Sequence, residues 1–272
     1  MIMPEIQKQR IIEYIKEKKR FDGRKPDEHR KIEVKLGISN KADGSCSVKF
    51  GDTEVYAGIK MDAMEPYPDS PDEGTMVTSA ELSPIASPDF ESGPPRIDAI
   101  ELARIIDRGI RESGFIDFKK LCIKEGEKVW QVNLDVYAVN DNGNLIDAAS
   151  LAALIALANA KMPEYDEENE KVKFGEMTDN PIPLNKDAMA FNITFHKIGN
   201  EIIVDPNKEE EEISEWRLSV AVADNKGEPR ISAMQKGKES AVSEEEMEKI
   251  LNLVEDKYKK MIPKIKKMVW GK

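Results

Sequence analysis

The chain is poor in the residue types from which most recognisable active sites are built. It holds two histidines and two cysteines in 272 residues. His29 and His196 are too few for a usual zinc set and form no obvious nucleophile–base pair. Cys46 and Cys122 sit in apolar, strand-like runs, which predicts inert buried thiols rather than a disulfide or a metal pair. No P-loop, dinucleotide fingerprint, GxSxG or kinase motif is present. Long hydrophobic runs are missing too. The greasiest stretch, 145–161, is short, alanine-rich and interrupted by Asp147, Ser150 and Asn159, so no membrane span is expected. The start, MIMPEIQKQR, lacks the apolar core of a signal peptide, which predicts a cytoplasmic protein. Positive charge is in deficit, 41 basic against 52 acidic side chains for a net −11. That argues against a free-standing, non-specific nucleic-acid binder but leaves room for a local basic patch inside an assembly.

What is there centres on 128–161. KVWQVNLDVYAV alternates, with Trp130, Val132, Leu134, Val136 and Ala138 on one side, as in a half-buried strand. Asn140 to Asn144 is rich in residues that turn the backbone. LIDAASLAALIALANAK is apolar nearly all round, the mark of a buried helix. The 40% hydrophobic content suffices for one large or two medium domains.

Before this unit, 4–19 predicts an amphipathic helix. Runs at 32–38, 45–50 and 54–61, joined by Asp43-Gly44 and Gly51-Asp52, predict a three-strand meander. A fourth strand is expected at 75–82. A helix follows over 97–113, with Ile97, Ile100, Leu102, Ile105, Ile106 and Ile110 as its apolar face and Gly114 as its stop. After the central helix, 164–179 reads as an acidic connector. Strands follow at 190–198, 201–205, 215–223 and 230–234, with 208–212 as a charged loop. A closing helix opens on a Ser243/Glu246 capping box, and Pro263 is expected to bend or end it. Strands and helices without regular alternation give the α+β class. The expected organisation is an N-terminal helix over 1–19 and domains at 20–163 and 164–272.

Two features bear on function. Arg104, Arg108 and Arg111 share one stripe of the 97–113 helix, with Arg96 just before it. Glu101 and Asp107 lie at ion-pair spacing, so local pairing competes with a ligand role. The turn at 140–144, opening onto a helix, presents N–H groups to an anion, yet it contains no arginine or lysine. Asn142 or Asn144 then serves as a plain helix cap, and Asp147 as a residue favoured by the helix dipole.

The residues R-F-D-G-R-K-P-D-E-H-R at 20–30, A-D-G-S at 42–45 and I-E-L-A-R-I-I-D-R at 100–108 resemble RNase PH-type domains. With V-D-P at 204–206 and A-M-Q-K at 233–236, the chain is most similar to the non-catalytic RNase PH-like subunits of archaeal exosome cores. The resemblance covers about 20–265. It implies an α+β RNase PH-like fold of two pseudo-repeated βαβα units, with central helices packed against mixed sheets. Active members of that family degrade RNA from its 3′ end with inorganic phosphate, held by a glycine-threonine-arginine turn. Here Gly143-Asn144-Leu145 stands at that place, an apolar residue replacing the guanidinium, which implies a degenerate phosphate site. Asp205 matches the first of the family's two aspartates, and the second falls near Glu211. The implied role is non-catalytic, in a hexameric ring alternating with a catalytic paralogue and capped by RNA-binding subunits. Arg96, Arg104, Arg108 and Arg111 would hold the backbone of a single-stranded RNA 3′ end. No cofactor of its own is expected; phosphate would act at the paralogue and magnesium would enter with RNA. The alternatives are an active phosphate-dependent exoribonuclease and a stand-alone interaction module.

Overall fold

The computed structural model describes residues 3–271. The chain opens with α1 (Glu5–Lys16), then β1 (Ile32–Leu36), β2 (Gly44–Phe50), β3 (Thr53–Met64) and β4 (Thr75–Leu82). Next come α2 (Ile97–Ser113), β5 (Cys122–Lys124), β6 (Lys128–Asn140) and the central α3 (Leu145–Asn159). A hairpin of β7 (Lys161–Asp166) and β8 (Lys171–Pro181) leads to β9 (Ala190–Ile198) and β10 (Glu201–Val204). The chain closes with α4 (Lys208–Ile213), β11 (Trp216–Asn225), β12 (Glu228–Gly237) and α5 (Glu244–Trp270).

The first sheet runs β1-β2-β3-β6-β4, with β5 on β6. The expected meander is there, and β4 joins parallel to β6, so this sheet is mixed. The second sheet, β10-β9-β11-β12, is antiparallel throughout. Helix α3 packs on β2 and β3 of one sheet and on β9 of the other. That is why its sequence is apolar on every side: Ala148 to Leu157 are all buried. The alternation read in β6 is real, with Trp130 to Ala138 burying every second residue. Gly44 lets β2 reach the end of α3, since a Cβ there would lie 2.5 Å from the Ala156 carbonyl oxygen.

Several expectations need correction. The 164–179 connector is the β7–β8 hairpin. Asp166 accepts from the N–H groups of Glu168 and Asn169 and so builds its turn. The 208–212 loop is α4, nucleated by a capping box of Asn207 and Glu210. Pro263 does not end α5, which continues to Trp270. Pro263 is on the exposed side, so the carbonyl it leaves without a helical partner faces water. Ile97 and Ile100 do not join the core; they are 74% and 46% exposed. Cys46 is buried and its thiol is pushed up to about 12, whereas Cys122 is only half-buried; both are free. Helix α1 lies against the second sheet, with Ile11 and Ile15 on Ile198 and Ile203.

Candidate functional site

The turn between β6 and α3 is held from all sides. Gly143 takes φ +83°, and a Cβ on it would lie 2.5 Å from Asn207 and 2.7 Å from the Pro206 carbonyl oxygen. Only glycine lets the turn and the start of α4 touch this closely. Three N–H groups of the turn are already committed. Asn142 donates to Thr53 Oγ1 at 3.2 Å, Gly143 to Asp141 Oδ1 at 3.1 Å, and Asn144 to Glu211 Oε2 at 3.4 Å. The carbonyls of Asn142 and Gly143 accept from the Arg30 guanidinium. Leu145, half-buried, packs on the core. A protein carboxylate thus sits where the helix N-terminus would otherwise attract a phosphate.

Behind the turn lies a buried polar network. Asn144, in the left-handed region at φ 56°, does not cap α3 with its side chain. Its amide instead donates to Asp147 at 3.0 Å and to Asp205 at 2.8 Å. Asp205 is fully buried and accepts from Arg24, from the Arg30 N–H and from the Arg30 guanidinium. Those arginine contacts outweigh burial and hold its carboxyl well below the usual carboxylate range. Arg20 forks onto Glu210 beneath α4 and donates to the carbonyls of Val204 and Asp205.

Asp147 is the opposite case. Among the described residues it accepts only from Thr194 and Asn144, and burial pushes its carboxyl up to about 7. The folded chain therefore keeps a proton that the unfolded chain, ordinary near 3.8, releases. Its stabilising contribution is full below about pH 4 and is lost as pH rises through 7. Thermal unfolding should show stability falling by on the order of 3 kcal/mol between pH 5 and 7.5 from this group. Asp147→Asn, which fits the same partners as the protonated acid, should remove that slope; an unchanged slope would exclude Asp147 as its source.

A small cavity of about 210 Å³ opens beside Leu145 and Ile146. Lys208 and Arg217 line it, against Asp98, Glu101, Asp141 and Glu211. Both cations are taken, Lys208 by Asp141 and Arg217 by Glu101. Asp147 does not line it. Burial raises the Glu211 carboxyl above its usual range. His29 is pushed down to about 4 and His196 well below its ordinary value, both by burial, so neither is a general acid at neutral pH. Among the described residues no His/Cys/Asp/Glu group is arranged to hold a metal, and no helix is long and apolar enough to cross a membrane.

The arginine stripe divides. Arg111 is bound to Asp107 at 3.0 Å and to the Met76 carbonyl, and Arg96 pairs with Glu91. Arg104 and Arg108 are exposed, and no carboxylate pairs with either among the described residues. Glu101, expected near Arg104, turns to Arg217 instead, 2.6 Å away. Arg104 and Arg108 line one cleft of about 430 Å³ between α2 and strands β11 and β12, with Asn192, Ser219 and Gln235 opposite. Ile97, Ile100 and Met234 form its exposed apolar rim. The stripe was legible in the sequence; Arg20, Arg24 and Arg30 as the partners of Asp205 and α4 were not. Their signal was the density of arginine in 20–30 together with acids at 205–212.

Comparison with known proteins gives a consistent answer. The profile of the 3′ exoribonuclease family, domain 1, matches residues 28–163, and that of domain 2 matches 188–256. The chain is 45% identical over 256 residues to the exosome complex component Rrp42 of Methanocella arvoryzae, covering 94% of both chains. It is 47% identical over 249 residues to the Rrp42 component of Thermococcus gammatolerans, covering 90% of this chain and 89% of that one. Among solved structures, it resembles a chain of the Archaeoglobus fulgidus exosome with RNA bound to the active site. There the TM-score is 0.86 and the identity 40%, covering 96% of this chain and 98% of that one. A chain of an archaeal exosome core matches with TM-score 0.82 and 37% identity, covering 96% and 97%.

Proposed function

Because the chain belongs to the 3′ exoribonuclease (RNase PH) family and has the α+β RNase PH-like fold its motifs implied, we propose that it is a non-catalytic, RNA-binding ring subunit of an exosome-type 3′-to-5′ phosphorolytic exoribonuclease. One observation carries this reading. The N–H groups of Asn142, Gly143 and Asn144 are all spent on protein oxygens, two of them carboxylates. Inorganic phosphate entering there would meet Asp141 and Glu211 and find no free guanidinium, since Arg30 is held by Asp205. Gly143, Asn144 and Leu145 are thus a degenerate phosphate site. An aspartate locked by arginines, as Asp205 is, has neither the proton nor the freedom to act as a general acid.

The partners follow from the same reading. A catalytic paralogue supplies the phosphate site in an alternating hexamer, RNA-binding cap subunits feed the strand, and magnesium arrives with the RNA. Arg104 and Arg108 hold the phosphate backbone of the 3′ end at the subunit boundary, while Ile97, Ile100 and Met234 are covered by the neighbour. Arg96 and Arg111, each already paired, add to the local field. The test is RNA decay in phosphate buffer by this chain alone, by the catalytic paralogue alone and by the two mixed. The mixture trims 3′ ends and the chain alone is inert. Release of nucleoside diphosphates by the chain alone would overturn the reading, and a mixture no more active than the paralogue, with this chain left monomeric, would favour a stand-alone module.

A further inference from the structure

This acidic chain carries a second groove of opposite charge that shares no lining residue with the α2 cleft. It encloses about 580 Å³ between residues 25–32 and the C-terminal half of α5. Five lysines line it, Lys25, Lys31, Lys257, Lys260 and Lys264, against two carboxylates, Asp27 and Glu28. In a chain of net charge −11 that local excess is not a random sample of the surface.

The groove is built rather than incidental. The Lys257 ammonium, buried, donates to the Asp27 carboxylate at 2.9 Å and to the Asp27 carbonyl, which ties the two walls together. Lys260 and Lys264 fall on the same side of α5, at i+3 and i+7 from Lys257. Lys25 and Lys264 have no carboxylate partner among the described residues, and Lys31 and Lys260 have only surface pairs, with Glu33 and Asp256. The floor is apolar: Ile32, Met261, Ile265 and Met268. His29 also lines the groove, neutral, with its Nε2 buried and, among the described residues, without a hydrogen-bond partner.

We propose that this groove docks an acidic segment of a partner protein whose aliphatic side chains seat on the methionine and isoleucine floor. Charge complementarity selects the sign of the occupant, and the floor selects its class. A single-stranded RNA groove stacks bases on aromatic rings and favours planar guanidiniums. No Phe, Tyr or Trp lines this groove, its one ring, that of His29, is partly buried, and its single arginine, Arg30, is committed to Asp205. Flexible methionines between lysines instead suit an adaptable helix or strand with alternating carboxylates and leucines. The proposal does not depend on the RNA role of the α2 cleft.

The experiment is fluorescence anisotropy on the intact chain with a labelled 12-residue peptide of Glu-Glu-Leu repeats. A peptide with serine in place of leucine and a labelled oligouridylate of 12 nucleotides are run alongside. The leucine peptide binds the wild-type chain. Lys260→Glu/Lys264→Glu weakens it at least tenfold, Lys260→Gln/Lys264→Gln weakens it less, and Lys119→Glu/Lys120→Glu, elsewhere on the surface, leaves it unchanged. The glutamine pair keeps the test decisive if the charge reversal disturbs α5. Equal binding to wild type and both groove variants would overturn the proposal. So would equal affinity for the serine peptide, or tighter binding of oligouridylate that the same variants abolish.

Discussion

Asp205→Ala is expected to destabilise the chain by about 3–5 kcal/mol, the range for stripping one partner from a buried ion network. Asp205 is fully buried and ties together four pieces: the 24–30 segment, the end of β10, the turn before α3 and, through Asn144, Asp147. Its removal leaves the Arg30 guanidinium, 9% exposed, without an anion. The Arg30 hydrogen bonds to the turn carbonyls do not replace that charge. Arg24 is better protected, since Asp22 also holds it at 2.8 Å. Chemical denaturation at pH 7 measures the loss, and a cost below about 1 kcal/mol would show that the network is not a keystone. Because the folded-state carboxyl is depressed, its stabilisation is present at neutral pH and is lost only as the medium turns strongly acid. That window lies below the one in which Asp147 acts, so the two variants separate by pH.

Much of this architecture was legible where local chemistry decides it. The alternation of β6, the all-round apolar α3, the Asp-Gly and Gly-Asp turns and the Ser243/Glu246 box each name their structure from adjacent residues. The misses share a cause, namely partners far away in sequence. KEEEEI reads as a solvated loop until Arg20, 190 residues earlier, is seen to take Glu210 inside. Acid-rich 164–179 reads as a connector because its turn, Asp166 to Glu170, masks the flanking strands. Ile97 and Ile100 fit the helical period of a core face, yet they face out. Periodicity records which side is apolar and says nothing of whether the chain's own core or a neighbour covers it.

The candidate site was half legible in the same way. The absence of a guanidinium at Leu145 is a statement about one residue and needs no structure. That Thr53, Asp141 and Glu211 occupy the donors of the turn is a statement about three segments and could only be seen folded. The arginine stripe was visible as spacing, but which arginines are free was not. Asp107 takes Arg111, while Glu101 abandons Arg104 for Arg217, a strand residue 116 positions away.

Arg104 and Arg108 carry the second large effect. Each exposed guanidinium that meets an RNA phosphate forms a charge-assisted contact, and two of them together contribute about 2 kcal/mol, or roughly thirtyfold in affinity. The loss should be nearly uniform across RNA sequences, because backbone contacts position a strand without reading it. It should also flatten the salt dependence, by about 0.7 in the logarithmic slope for each phosphate contact removed from a single strand. Among the described residues neither arginine has a hydrogen-bond partner, so unfolding of the Arg104→Ala/Arg108→Ala variant should match the wild type.

The decisive measurement is therefore 3′-end trimming by this chain mixed with the catalytic paralogue proposed above, comparing wild type with Arg104→Ala/Arg108→Ala across RNA concentration. A subunit that clamps RNA and does no chemistry predicts kcat/KM down roughly thirtyfold with kcat at saturating RNA unchanged. Identical kcat/KM for the two mixtures would contradict it and leave the chain a scaffold whose arginine stripe touches no RNA.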